Sequence, residues 1–79
     1  MPVKKAILDR TRRLSHKQRC VAALVAQGLK NCEIAADLGI ATHVVRNYLS
    51  AIYDKVGVNN RVELALWYEA RQQEAALLE

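Results

Sequence analysis

Between Thr42 and Val56, residues able to hydrogen-bond nucleic acid recur with the period of a helix. His43, Arg46, Asn47 and Ser50 stand at i, i+3, i+4 and i+7, which puts all four on one helical face. An arginine fork can grasp guanine O6 and N7, and an asparagine amide can pair with adenine N6 and N7. No acid joins the group before Asp54. The opposite face carries Val45, Leu49, Ile52, Tyr53 and Val56, an apolar stripe of the same period. A helix that packs on one side and offers donors on the other suits a major groove. Thr42 and His43, at its start, would sit near phosphate, aided by free backbone N–H groups and the helix dipole. Lys30 and Asn31, upstream, are further phosphate candidates. Lys55 and Arg61 would flank the groove, although Arg61 has a second reading as an internal bridge between helices.

These residues need a scaffold, and the punctuation of the chain supplies one. Ser15 and Gln18 have the spacing of a capping box, opening a helix over about 16–27 that buries Val21, Leu24 and Val25. Gly28 stands where a left-handed C-cap belongs. Asn31 is the expected N-cap of a second helix, whose apolar residues are Ile34, Ala35 and Leu38. Gly39 supplies the positive φ of a tight turn between helices. Thr42 is the expected cap of the third helix, and Gly57 its end. Asn60, with Glu63 three residues on, opens a fourth helix that nothing interrupts from Arg61 to about Leu77, roughly 25 Å at 1.5 Å per residue.

The composition agrees with an all-α domain. Phe is absent, there are one Pro and three Gly, and no period-2 run of β-branched residues occurs. Seventy-nine residues make one domain, split here into a basic tail (1–13) and a helical body (14–79). Residues 1–30 hold eight bases against one acid, a net +7; residues 31–79 hold four bases against seven acids, a net −3. A basic front half points to a polyanion. No stretch approaches the roughly 20 apolar residues of a membrane span, and no apolar segment follows the basic N-terminus as in a secretory signal. A cytoplasmic, nucleoid-associated protein without a membrane partner is expected. Cys20 and Cys32 lack the paired spacing of a zinc site, so no metal and no cofactor are expected. Nor does the sequence display a nucleophile–base pair or a glycine-rich phosphate loop, and no enzyme reading follows.

Taken together, the residues resemble the DNA-binding domain of the LuxR/FixJ family of bacterial transcription regulators, from about Leu14 to Trp67. The resemblance is carried by Leu14, Ser15, Gln18 and Val21 in the first helix, and by Gly28, Asn31, Glu33, Ile34 and Ala35 around the second. Ile40, Val45, Arg46, Ile52, the run Lys55–Val58 and Arg61 carry it through the third. It implies a tetrahelical helix-turn-helix domain with a long C-terminal helix, and base-facing positions at Arg46, Asn47 and Ser50. The chain departs from the family's pattern at Lys30 (usually Ser or Thr), Ala41 (commonly Ser), Val44 (commonly Thr), Tyr48 (often His), Ser50 (often a base or another polar residue), and Cys20 and Cys32 (usually charged). The surface is therefore expected to read a different sequence from an average relative.

The fourth helix is the expected dimerisation element. Leu64, Tyr68, Ala75 and Leu78 form an apolar strip interrupted by Arg71, with Trp67 assigned to the core or the interface, and uncovered strips of this kind usually meet a partner. A two-fold homodimer would place two recognition helices in successive major grooves of double-stranded DNA. The expected function is a stand-alone, sequence-specific transcription regulator, without a receiver or ligand-binding domain and controlled by its abundance or by another regulator. The alternative is an interaction module that dimerises with a full-length regulator and modulates it without binding DNA.

Overall fold

The computed structural model of the chain describes residues 14–78. Four helices follow one another: α1 (His16–Ala26), α2 (Asn31–Leu38), α3 (Thr42–Val56) and α4 (Arg61–Leu78), with no strand among the described residues. The basic tail at 1–13 lies outside them, as does the side chain of Leu78.

One core joins all four helices. Val21, Ala22 and Val25 of α1, Ile34 and Ala35 of α2, Val45, Leu49, Ile52 and Val56 of α3, and Leu64 and Trp67 of α4 are buried together with Leu14. In α3 the buried positions fall at i, i+4, i+7 and i+11, the stripe read from the sequence. Helix α1 packs against both α4 and α3, and α2 packs against α3. The side chains of Val21, Ile34, Val45, Ile52 and Leu64 are fully buried, each contributing about 1.5–3 kcal/mol by leaving water.

The helix starts fall into two kinds. In α1 the Ser15 hydroxyl accepts from Gln18 N at 3.1 Å, and Gln18 Oε1 accepts from Ser15 N at 2.9 Å, which completes the expected box. In α4 the Asn60 carbonyl Oδ1 accepts from Glu63 N at 2.9 Å, while Glu63 reaches one residue further back, to Asn59 N at 2.8 Å. Helices α2 and α3 differ from expectation. Their N-caps are Lys30 and Ala41, with no side-chain cap bond, and Asn31 and Thr42 are the first helical residues. An ammonium and a methyl have no lone pair to offer. Only Glu33 Oε1, accepting from Lys30 N at 2.7 Å, makes half a box in α2. The expectation for Asn31 fails for a physical reason. Its Oδ1 accepts from the Arg61 guanidinium at 2.7 Å, a charge-assisted bond stronger than a neutral cap.

The turn between α2 and α3 rests on Gly39, whose φ is +68°. Its left-handed backbone lets Ile40 N donate back to the Ala35 carbonyl at 3.0 Å, ending α2 and redirecting the chain into α3.

Helix α4 presents a different face from the one expected. Leu64 is 0% exposed and Trp67 9%, because α4 lays this side against α1. Tyr68, Arg71 and Ala75 are half-buried beside them. The Arg71 guanidinium sits over the Trp67 ring at 5.6 Å and pairs with Glu74 at 2.9 Å. Of the strip expected to be uncovered, Leu64 thus faces the core, Tyr68, Arg71 and Ala75 are partly covered, and the side chain of Leu78 lies outside the described residues. The large apolar residues left in solvent, among the described ones, are Val62 (66% exposed), Leu66 (66%) and Leu77 (86%), on the opposite side.

Candidate nucleic-acid interface

The burial of Val45, Leu49, Ile52 and Val56 fixes which way α3 faces. With that stripe inside, His43, Arg46, Asn47 and Ser50 are exposed along the other side, and Thr42 is half-exposed at the first position. Among the described residues no side chain pairs with Arg46, Asn47 or Ser50, so their donors face water. Asp54 is exposed near the end of the same face and bounds the stretch where an anion would be welcome.

Two further features surround this face. The N-cap side chains of α2 and α3, Lys30 and Ala41, make no capping bond, so the first amides of these helices, at Asn31 and Cys32 and at Thr42 and His43, remain open. Together with the positive end of the dipole, such amides suit phosphate oxygens. Lys30 is exposed beside the first of these turns.

The remaining candidates are engaged within the fold. Arg61 Nη1 donates to Asn31 Oδ1, and its Nη2 donates to the Leu29 carbonyl at 2.6 Å. Its guanidinium therefore ties the start of α4 to the start of α2, the internal bridge already open as its second reading. The exposed Lys55 donates from Nζ to Gln18 Oε1 at 2.9 Å. Gln18 is buried and its one oxygen receives both Ser15 N and Lys55 Nζ. The end of α3 is thereby held to the start of α1. Sequence spacing revealed the Ser15–Gln18 half of this node, but 37 residues separate Gln18 from Lys55 and no local pattern reports that contact.

A second pairing also escaped the sequence reading. His16 Nε2 lies 3.7 Å from Cys20 Sγ, at the i, i+4 spacing that brings helical neighbours together. Both cysteines are free thiols, Cys20 half-buried and Cys32 exposed.

Residues 12–68 match the family described as bacterial regulatory proteins, luxR family. The two-component response regulator PprB of Pseudomonas aeruginosa is 43% identical over 54 residues, 68% of this chain and 20% of that protein. The transcriptional regulatory protein YdfI of Bacillus subtilis is 42% identical over 50 residues, covering 63% of this chain and 24% of its own length. The probable HTH-type transcriptional regulator GfsR of Streptomyces halstedii is 43% identical over 53 residues, 67% of this chain and 22% of its own. The chain thus spans about a fifth to a quarter of the curated relatives it matches. No solved structure gives a significant match.

Proposed function

This chain belongs to the luxR family of bacterial regulatory proteins, and from that premise we propose that it is a sequence-specific, double-stranded-DNA-binding regulator of transcription. Helix α3 enters the major groove, with Arg46, Asn47 and Ser50 toward base edges and Thr42 and His43 toward phosphate. Lys30 and the open amides of α2 and α3 grip the adjoining backbone, and the basic tail at 1–13 adds sequence-independent attraction. The observation that carries this reading is the exposed row His43–Arg46–Asn47–Ser50, unpaired among the described residues, lying directly behind a fully packed stripe. Arg61, Asn31 and Lys55 support the interface by holding helices rather than by reaching DNA. Acting on DNA, the protein belongs with the nucleoid in the cytoplasm; no described helix is long and apolar enough to cross a membrane.

A second copy joins through the exposed side of α4, at Val62, Leu66 and Leu77, and so pairs two α3 helices on a near-palindromic site. Three large apolar side chains in solvent on one helix support that interface.

The test is selection of bound sequences from random DNA at moderate salt, repeated with Arg46→Ala. The wild type is expected to enrich one motif. The variant, with an unaltered circular dichroism spectrum, is expected to lose about 1–3 kcal/mol of discrimination at one base pair. Failure of the wild type to retain any DNA transfers the weight to the partner-modulating module, which would use α4 alone.

A further inference from the structure

A cavity of about 230 Å3 lies between α1, the end of α2 and the flank of α3, lined by His16, Lys17, Cys20, Leu38, Ile40 and Tyr48. It lies apart from the row His43–Arg46–Asn47–Ser50. Tyr48 belongs to α3 but is half-buried and sits beside the packed stripe, so the cavity touches the recognition helix from its inner flank. Most of the wall is hydrocarbon or ring, and the polar groups are gathered from one short stretch of α1. Such a cavity favours a small, largely apolar guest with one polar end.

The polar groups form a set. The Cys20 thiol lies 3.7 Å from His16 Nε2, and the exposed Lys17 lines the same space. A nucleophile, a base in reach of its proton and a cation for a developing oxyanion are the parts that thiol addition needs. A metal ion finds only two donors here, beside an ammonium, and no group of three His, Cys, Asp or Glu occurs among the described residues. We propose that this cavity is a covalent adduct site for small α,β-unsaturated carbonyl compounds, with Cys20 as the nucleophile. His16 Nε2 takes the thiol proton as sulfur bonds to the β-carbon. The alkene pair moves toward the carbonyl, and Lys17 steadies the resulting enolate oxygen. The imidazolium then returns the proton to the α-carbon. The sum is addition of S–H across the double bond, with no leaving group and no oxidant.

The adduct adds bulk against Tyr48 and separates α3 from α1, which weakens DNA binding. This second step rests on the DNA-binding reading; the first does not. The probe is 2-cyclohexen-1-one on the full chain, with rates at each thiol read by peptide mass. Cys32, exposed on α2, is the internal control. Cys20 is expected to react at least about tenfold faster than Cys32, with a rate that saturates in enone while that of Cys32 stays linear. His16→Gln should bring Cys20 down toward Cys32. Equal rates, a linear dependence at Cys20, or no response to His16→Gln overturns the site. Binding of enone-treated protein to the selected DNA should fall at least about tenfold, and Cys20→Ser should abolish that sensitivity while binding normally untreated. A complete Cys20 adduct with full DNA affinity overturns the coupling alone. Untreated protein without DNA affinity strikes the DNA-binding reading and leaves the mass result standing.

Discussion

Arg61 shows how little the type of a residue says about its use. A base close after the recognition helix invites assignment to phosphate, yet its two terminal nitrogens donate to Asn31 Oδ1 and the Leu29 carbonyl. Both bonds cross about thirty residues of sequence and join the entry of α4 to the entry of α2. Arg61→Ala is expected to lower unfolding stability by about 1.5–3 kcal/mol, the range for a hydrogen-bonded charged group. Chemical denaturation with an unchanged m-value checks this. A variant as stable as wild type, but weaker on all DNA alike, would return Arg61 to the phosphate backbone. Arg46 is the opposite case, since it has no partner among the described residues and its loss is expected to register in specificity rather than in folding.

The helices themselves were legible because each is built from local signals. The Ser15–Gln18 box, the positive-φ glycines and the 3.6-residue stripe of α3 are all written within a few positions of where they act. The tetrahelical order and the outward face of α3 followed from them. What the sequence hid depends on distant atoms: which way Asn31 turns, where Lys55 donates, and which side of α4 meets α1. In α4, apolar residues lie on two sides, Leu64 and Trp67 on one and Val62 and Leu66 on the other, so periodicity alone could not choose between them. At this scale Gly39, between the two helices of the helix-turn-helix, is one point of failure. A Cβ added there would meet nothing within 4 Å, so the penalty for alanine is conformational. Gly39→Ala at φ +68° is expected to destabilise the domain by about 1–2 kcal/mol, with Gly39→Asn milder because asparagine tolerates that region. Thermal melts of the two variants give the comparison.

The molecule as a whole is a small body with one side committed to its core and another left apolar in water. A domain of this size gains from a partner. Glutamates at Val62 and Leu66 would face their own copies across a two-fold axis, and like charges so placed repel. Val62→Glu with Leu66→Glu is expected to sediment as a folded monomer. Its affinity for a two-half-site operator should fall far more than for a single half-site. Wild-type protein that remains monomeric at high concentration and on DNA rejects the dimer.

The bare starts of α2 and α3 carry a cost in heat resistance. Helices are commonly closed by a serine, aspartate or asparagine, and the two framework helices here are closed by Ser15 and Asn60. The two helices of the helix-turn-helix leave their first amides to solvent, and so keep donors in reserve for a polyanion. A better-folded protein should then be a worse binder. Ala41→Asp would cap α3 and contribute about 1 kcal/mol, raising the melting temperature by about 4–8 °C for a domain of this length. The same carboxylate would occupy the amides of α3 and repel phosphate, so affinity for DNA should drop as the melting point climbs. Parallel gains in both would mean that those amides never meet the nucleic acid.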